Sequence, residues 1–396
     1  MRIAYYLDRH YSAGNSLLKK TIQQLAQWQA AGHRCQLFAV TKEGSSLDEC
    51  STFAPNEFSQ DGNRLAFYIR TFRSKPKQIL ARIHLCSAVK RWEPDVVYTR
   101  NDGLVSLVKV LMLASFVSVL EVNTDDIGEY GRNHARVWTW WYRFSRWMLY
   151  RAASGLVFVT NEIAQLPHFT CFSKPSLVCP NGIPLANFQI LPPSGNSRPH
   201  FVFIGSAGHR WHGVDKLIML AEALPEYEFE VIGPKAGDYD KELPPNLRFH
   251  GFLAAGQYMP ILQRSDVAIG TLAMHRNMMN EGSTLKVREY LAHGLPCVIA
   301  YQDTDFPKPV AFILTLPNCE NNITSEVPRI LKFANEWTNH RVPRQVISHI
   351  DAGFKESRRL EFFSQLVEHS SGSARVGLVD SARKRNGTNI SGDGVV

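Results

Sequence analysis

Short apolar runs alternate with amphipathic stretches along the first half of the chain, which is typical of a sheet with crossover helices. The run at Arg2–Leu7 predicts a buried strand. Residues 17–31 then follow a helical period that ends at Gly32, and residues 35–40 form the next apolar run. Because strand, turn, helix and strand follow in this order, we predict a parallel α/β sheet. Further strands are predicted at residues 95–99, 117–122 and 155–160.

The same alternation restarts after a break at residues 187–198, where proline, glycine and serine cluster as in a linker. We therefore predict two α/β sheet domains that face a cleft, residues 1–186 and residues 199–345. An amphipathic stretch within residues 346–370 predicts a helix that returns toward the first domain. Residues 371–396 are small and polar, which predicts a disordered tail.

Composition supports two cores and bears on the choice of partner. Hydrophobic residues make up 44% and charged residues 20% of the 396 positions, as in ordinary globular proteins. The net charge of +8 favours anionic partners such as nucleotide diphosphates, acidic lipid head groups or nucleic acid, without choosing among them. The seven cysteines form no C-x-x-C pair, and the N-terminus lacks the apolar core of a signal peptide. We therefore expect a cytoplasmic protein with reduced thiols.

The most informative pattern lies in residues 281–298, EGSTLKVREYLAHGLPCV. Ser283 or Thr284 can cap a helix that begins at the next residue. The first turn of this helix holds Leu285 and Lys286. Backbone N–H groups at a helix start are unpaired and carry partial positive charge, which suits a diphosphate. In an open α/β sheet, such a loop is expected at the carboxyl ends of the strands, where ligands bind.

Two glutamates frame this helix start. Glu289, inside the helix, can accept two hydrogen bonds from a vicinal diol such as that of a ribose. Glu281, in the preceding loop, can do the same for sugar hydroxyls. On spacing alone the simpler interpretation is helix stabilisation, since a glutamate near a helix N-terminus contributes up to ~1 kcal/mol. The spacing leaves both interpretations open.

The segment resembles the signature of two glutamates separated by seven residues found in retaining glycosyltransferases with the GT-B fold, specifically glycosyltransferase family 4. Glu281 and Glu289 match the two glutamates, and residues 286–296 reproduce the bacterial variant with lysine ahead of R-E-Y-L-A-x-G-x-P. Further similarities lie at Gly14 and at residues 94–100, 180–183, 203–217 and 248–252. The resemblance implies two Rossmann-like, doubly wound α/β domains facing a cleft.

The resemblance also implies roles for individual residues. Glu289 would hold the donor ribose, and Glu281 would act as a catalytic residue at the transferred sugar. The backbone at Phe252 would lie near the base, and Gly14 would let the first domain approach the diphosphate. The rest of the implied donor site is Gly205, Ser283, Thr284 and Leu285.

The chain departs from the family where the diphosphate is expected. The family usually places an arginine and a lysine after the first strand of the second domain, where this chain has Ser206 and His212. Arg210 and Lys286 are the expected replacements for the missing charge, and His212 is retained as a donor-binding candidate. These departures keep open a catalytically inactive, sugar-nucleotide-binding scaffold as an alternative.

Two catalytic candidates follow an apolar strand of the first domain. Asn123 stands where the family often has a histidine near the sugar, and Asp125 can position the acceptor hydroxyl. Loop aspartates are also commonly turn residues, so both interpretations of Asp125 stay open. The histidines show no metal-ligand spacing, and we expect no metal and no cofactor besides the nucleotide-diphosphate-sugar substrate.

The resemblance implies transfer of a sugar to an acceptor hydroxyl with retention of configuration, in bacterial surface polysaccharide or glycolipid biosynthesis. The expected partners are a nucleotide-sugar donor and a glycan or lipid-linked acceptor. Another GT-B enzyme, such as a nucleotide-sugar epimerase, is the alternative enzyme.

An aromatic and basic stretch begins at Arg136 and ends at Arg151, RVWTWWYRFSRWMLYR. Such helices lie in membrane interfaces, which implies peripheral contact with the inner face of a membrane. The alternative is a helix packed on the first sheet with arginines at its rim. No nucleic-acid motif accompanies the charge, so we expect no nucleic-acid partner.

Overall fold

The computed structural model describes residues 1–8, 16–42, 66–72, 75–103, 105–133, 135–239 and 242–386. Within these ranges, two parallel β-sheets follow one another along the chain, and helices cover them. Gly14, which is expected to let the first domain approach the diphosphate, lies outside the described residues.

The first sheet belongs to the first half of the chain. Its strands are β1 (Arg2–Leu7), β2 (Arg34–Lys42), β3 (Ala66–Phe72), β4 (Val96–Arg100), β5 (Ser118–Val122), β6 (Gly155–Phe158) and β7 (Ser176–Val178). The helices are α1 (Ser16–Ala30), α2 (Lys75–Trp92), α3 (Leu107–Ser115), α4 (Asp126–Asn133), α5 (Arg136–Ala152), α6 (Asn161–Gln165) and α7 (Pro167–Thr170). The strand order β3-β2-β1-β4-β5-β6-β7 reverses direction beside β1.

The second sheet repeats this arrangement. Its strands are β8 (Phe201–Ile204), β9 (Phe229–Ile232), β10 (Leu247–Gly251), β11 (Val267–Ile269), β13 (Cys297–Ile299) and β15 (Ile313–Thr315), with a short separate pair β12 (Glu281–Gly282) and β14 (Gln302–Asp303). The helices are α8 (Val214–Ala223), α9 (Ala255–Gln263), α10 (Leu285–Ala292), α11 (Val327–Trp337) and α12 (Ala352–Asn386). The strand order is β10-β9-β8-β11-β13-β15, so the direction reverses beside β8.

Each sheet buries both faces, as a parallel sheet requires. On one face of the first sheet, α2, α3 and α5 contribute Leu85, Met112 and Leu149 to a single apolar cluster. On the other face, Trp28 of α1 and Phe363 of α12 pack with ring centroids 5.5 Å apart. The C-terminal helix therefore completes the core of the first sheet, although it follows the second sheet in sequence.

Residues 187–198 are held against the second half of the chain. The buried carboxylate of Asp266 accepts hydrogen bonds from Ser194 Oγ at 2.6 Å and from Asn196 Nδ2 at 2.8 Å. Asp266 also accepts from the backbone N–H of Asn339 at 3.0 Å. The connecting segment is thus irregular but fixed by side-chain hydrogen bonds.

The predicted fold class is confirmed, and most predicted strands and helices agree with the structure within a few residues. Helix α1 ends before Gly32, whose φ of +84° is the left-handed conformation that glycine adopts readily. Helix α12 continues to Asn386, beyond residue 371 where a disordered tail is predicted. This stretch lacks proline and contains helix-favouring alanine, leucine and arginine, while residues 387–396 lie outside the described residues. None of the described helices is long and apolar enough to cross a bilayer.

Candidate functional site

The two reversals of strand order define where a ligand is expected. In a doubly wound sheet, a crevice opens at the carboxyl ends of the two strands that flank the reversal. In the second sheet these strands are β8 and β11, which pair in parallel. The fully buried side chain of Tyr290 anchors helix α10 at the ends of these two strands. The Tyr290 hydroxyl accepts from the backbone N–H of Ile204 at 2.6 Å and donates to the carbonyl of Ile269 at 3.4 Å.

The start of α10 has no side-chain cap. Thr284 is the capping residue, yet its hydroxyl lies 2.8 Å from the Tyr301 hydroxyl instead of accepting from the helix. Ser283 Oγ accepts from the backbone N–H of Asn181 at 2.9 Å and from Arg288 at 3.0 Å. The prediction that one of these hydroxyls caps the helix is therefore wrong. Among the described residues no side chain caps this helix start, which is the arrangement in which the first N–H groups of a helix can bind an anion.

The Lys286 side chain carries a buried ammonium group. Its Nζ lies 4.2 Å from the centroid of the Phe203 ring and has no hydrogen-bond partner among the described residues. Burial lowers the pKa of Lys286 from its ordinary value of 10.5 to about 7. A cation–π contact offsets only part of the cost of taking an ammonium out of water. An anion bound here would restore the lost solvation and raise this pKa again.

His212 supplies no charge, and Arg210 carries its charge in an exposed position. Burial, followed by the nearby ammonium of Lys286, lowers the pKa of His212 to about 2, so its imidazole is neutral. His212 Nδ1 lies 3.2 Å from the carbonyl oxygen of Ser206, which a neutral N–H satisfies. Arg210 is exposed on the turn that ends at His212, and its carbonyl accepts from Arg276 at 2.9 Å. Lys286 is therefore the strongest candidate for contact with a diphosphate.

The loop after β8 is pressed closely against the end of β9. The Gly205 N–H donates to the Ile232 carbonyl at 3.0 Å. A Cβ on Gly233, whose φ is +107°, would lie 1.7 Å from the Gly205 carbonyl oxygen. Only glycine fits at residue 233, and this close approach fixes the backbone at Gly205 beside His212.

Glu289 lies in the second turn of α10 and is partly exposed. Its carboxylate accepts a hydrogen bond from the hydroxyl of Tyr258. Burial, and then the charge of Glu289, raises the pKa of Tyr258, so the phenol stays protonated. The Phe252 side chain is 85% exposed just after β10. No sequence pattern identifies Tyr258 as a partner of Glu289, because the two residues are 31 positions apart in the chain.

Glu281 contacts the first half of the chain instead of lying free beside α10. Its carboxylate accepts from the backbone N–H of Glu162 at 2.9 Å. In return, the Glu162 carboxylate accepts from the backbone N–H groups of Glu281 and Asn280, each at 2.7 Å. This reciprocal pair joins helix α6 to β12, so Glu281 sits at the junction of the two halves. Sequence reasoning did not identify Glu162, which carries no motif.

Asn123 and Asp125, the two catalytic candidates of the first domain, follow β5 and are far from α10 in sequence. Their hydrogen bonding differs. Asn123 Nδ2 is buried with no hydrogen-bond partner among the described residues. Asp125 accepts from the N–H of Gly128 at 3.1 Å and pairs with His168 at 3.1 Å, so it stabilises the start of α4. Its turn role and its contact with His168 are therefore both seen in the structure, and neither excludes contact with an acceptor.

Asp126, the residue after Asp125, is the centre of a buried polar network. Its carboxylate accepts from Arg146 at 2.9 and 3.1 Å and from the hydroxyls of Tyr142 and Tyr150 at 2.8 and 3.0 Å. Oxygen and nitrogen atoms of Asp125, Asp126 and His168 lie within 4.8 Å of one another. The guanidinium of Arg146 already neutralises Asp126, which disfavours a cation at this place.

Comparisons with known proteins bear on the fold. No protein-family model matches the chain, and no curated protein matches its sequence. The solved structure of Anabaena Alr3699/HepE in complex with UDP and glucose has a TM-score of 0.63 at 15% identity, over 92% of this chain and 99% of that one. The apo lipopolysaccharide outer core galactosyltransferase WaaB has a TM-score of 0.59 at 11% identity, over 93% and 100% of the two chains.

An enzyme of another class shares the arrangement. The UDP-GlcNAc 2-epimerase from Methanocaldococcus jannaschii has a TM-score of 0.52 at 10% identity, over 92% of this chain and 100% of that one. At such identities the likeness concerns the fold and not the reaction. The two parallel sheets, with the strand orders described above, give this chain the GT-B fold of these enzymes.

Proposed function

We propose that the chain is a glycosyltransferase that takes a sugar from a nucleotide-diphosphate sugar and transfers it to an acceptor hydroxyl with retention of configuration, as in glycosyltransferase family 4. One observation carries the proposal. The start of α10 lacks a side-chain cap, and its first turn carries Lys286, whose ammonium has no hydrogen-bond partner among the described residues; this helix start lies at the strand reversal of the second sheet. This arrangement suits a dianionic diphosphate better than it suits a neutral ligand.

The ribose and the base of the nucleotide-sugar would contact further residues on and near α10. Glu289 is one turn beyond Lys286 and would accept hydrogen bonds from the ribose diol, with Tyr258 holding its carboxylate. The base would lie toward Phe252, whose ring is open to solvent. The complex of HepE with UDP and glucose supports a donor of this chemical class.

The reaction needs no nucleophile from the enzyme in this proposal. The departing diphosphate would accept the proton of the acceptor hydroxyl, while Lys286 and the helix N–H groups stabilise its negative charge. Asn123 would lie near the sugar, because its amide nitrogen Nδ2 is buried after β5 without a hydrogen-bond partner among the described residues. Asp125 would position the acceptor, which we take to be a glycan or a lipid-linked acceptor at the cytoplasmic face of a membrane.

Epimerisation and simple binding are the competing functions. An epimerase converts the nucleotide-sugar without needing an acceptor, and a scaffold releases no nucleoside diphosphate. A thermal-shift screen of nucleotide-sugars identifies the donor, since a ligand at about 100 times its dissociation constant stabilises by ~2.7 kcal/mol. The donor found in this way is then incubated with the protein. Slow release of nucleoside diphosphate, with the sugar otherwise unchanged, supports transferase chemistry, whereas a new sugar epimer contradicts it. A donor that stays intact favours simple binding.

The affinity for nucleoside diphosphate is expected to fall as the pH rises above 7. The pKa of Lys286 is about 7 without ligand, and a bound diphosphate raises it. Below pH 7 the ammonium is already present, whereas above pH 7 binding must take up a proton. The dissociation constant should therefore be about tenfold or more higher at pH 9 than at pH 7. Calorimetry in buffers of different ionisation enthalpy measures both the affinity and the proton uptake. A flat profile with no uptake would show that Lys286 does not contact the ligand.

The two glutamates are expected to differ in their effects on binding and turnover. Glu289→Gln removes the charge that strengthens both ribose hydrogen bonds, so affinity for donor and for bare nucleoside diphosphate should drop by about tenfold to a hundredfold. Glu281→Gln should lower turnover by about tenfold or more and leave affinity for the bare diphosphate unchanged, because that ligand lacks the sugar. Glu336→Gln, on the exposed end of α11, is the control. Equal loss of diphosphate affinity in both glutamate variants would contradict this division of roles.

A further inference from the structure

Helix α5 has two faces of different character. Its inner face buries Tyr142, Arg146 and Tyr150, which hold the carboxylate of Asp126. The outer face carries six large apolar side chains, each more than half exposed: Val137, Trp138, Trp140, Trp141, Phe144 and Trp147. The sequence left open whether this stretch packs on the sheet or lies in a membrane interface. The structure shows that one face packs on the sheet while the tryptophan-rich face has no cover among the described residues.

The exposed apolar surface continues onto the two neighbouring helices. Leu107 and Leu111 of α3 and Ile79 and Leu80 of α2 are each more than half exposed. Helix α3 packs beside both α2 and α5, and the inner residues of the three helices share one core cluster on the same face of the first sheet. The exposed side chains of all three helices therefore point away from the sheet on one side. Together they form what we name the helix-layer surface, the outer faces of α2, α3 and α5.

The charges on α5 indicate which kind of partner this surface can bind. The helix contains no aspartate or glutamate, and Arg136, Arg143 and Arg151 are exposed. The Arg151 guanidinium lies 5.0 Å from the centroid of the Trp147 ring. Tryptophan prefers the boundary between lipid head groups and acyl chains, and arginine pairs with phosphate. Exposed tryptophans flanked by arginines thus match an anionic lipid surface.

We propose that the helix-layer surface docks on a bilayer that contains anionic lipids. Leucine, isoleucine and tryptophan side chains would enter the head-group boundary, and the arginines of α5 would contact lipid phosphates. A second copy of the chain fits this surface less well, because a two-fold contact through α5 would bring arginines of both copies together without acidic partners. The proposal does not depend on the proposed transfer reaction.

Vesicle sedimentation of the full chain tests this proposal. We expect binding to vesicles of phosphatidylcholine mixed with phosphatidylglycerol, weaker binding to phosphatidylcholine alone, and weakening by salt. Replacing both Trp140→Ser and Trp141→Ser should reduce the affinity at least about tenfold. Arg136→Gln and Arg143→Gln should each reduce it about fivefold on the anionic vesicles only. Phe354→Ser, at an exposed aromatic on the distant helix α12, is the matched control and should leave binding unchanged.

Tryptophan quenching and sedimentation velocity test the proposal further. Brominated lipids should quench tryptophan fluorescence in the wild-type protein, so the test does not depend on whether a variant folds. Absence of quenching, or a double tryptophan variant that sediments as wild type does, would overturn the proposal. Sedimentation velocity that shows a wild-type dimer, a monomeric double variant and no vesicle binding would instead assign the surface to a second copy.

Discussion

The variant Lys286→Met is expected to be more stable than the wild type and to bind nucleoside diphosphate about a hundredfold more weakly. Methionine keeps the length and the packing on Phe203, while the unpaired buried ammonium is removed. An unsatisfied buried polar group costs about 1–3 kcal/mol, so the free energy of unfolding should rise by about that amount. The same ammonium is the proposed partner of the diphosphate, and charge-assisted hydrogen bonds contribute about 1.5–3 kcal/mol.

The gain in stability should depend on pH. Because the pKa of Lys286 is lowered in the folded state, the unfolded chain binds more protons between about pH 7 and the ordinary lysine pKa of about 10.4. The wild type therefore becomes relatively more stable as the pH rises through this window, and its difference from Lys286→Met shrinks. Urea denaturation at pH 7 and pH 9, with calorimetric titration of the diphosphate, measures both effects.

A matched control separates local from general charge effects. Lys332→Met removes an equal charge from an exposed position on α11. It should change neither the free energy of unfolding nor the diphosphate affinity by more than a small amount. If Lys286→Met instead lowers stability and binds the diphosphate as the wild type does, Lys286 is a structural residue of the core.

The variant Arg288→Met, two positions further along the same helix, should have the opposite effect on stability. Arg288 is fully buried and donates to Asp303 at 2.7 and 2.8 Å, and it lies 2.9 Å from Asp305. It also donates to the carbonyl of Asn181 at 3.1 Å, which ties α10 to the segment that follows the first sheet. Removing one partner of a buried ion pair leaves uncompensated carboxylates and costs about 3–5 kcal/mol.

Denaturant unfolding compares this variant with wild type and with Arg288→Lys. Lysine keeps the charge but lacks the planar fork that contacts both oxygens of Asp303, so it should restore only part of the loss. A loss below about 1 kcal/mol for Arg288→Met would show that the network around Asp303 contributes little. Opposite stability effects at Lys286 and Arg288 would separate the ligand-facing side of α10 from its structural side.

Much of the fold could be predicted from local pattern. Buried parallel strands are short apolar runs between turn residues, and this is why β1, β4, β5 and β6 could be predicted from sequence. Strand β7 was missed because three residues at a sheet edge carry too little pattern. The extension of α12 to Asn386 was missed because polar composition was taken as disorder.

The candidate site was predicted only where its residues are close in sequence. Lys286 and Glu289 share one helix, so their spacing placed them together. The partners that decide what each side chain does come from distant positions. Ser283 accepts a hydrogen bond from the backbone of Asn181, 102 residues away in sequence, which helix-capping rules do not anticipate. Glu281 accepts one from the backbone of Glu162, 119 residues away in sequence. Such contacts depend on how the two halves pack, which local pattern does not encode.

We expect a nucleoside diphosphate to bind at the start of α10. A crystal structure of the protein with the nucleoside diphosphate that gives the largest thermal shift shows directly whether it does. Phosphate oxygens are expected within hydrogen-bond distance of the backbone N–H groups of Leu285 and Lys286 and of Lys286 Nζ, with the ribose at Glu289. A diphosphate bound elsewhere, with the Lys286 ammonium still buried and unpaired, would contradict it.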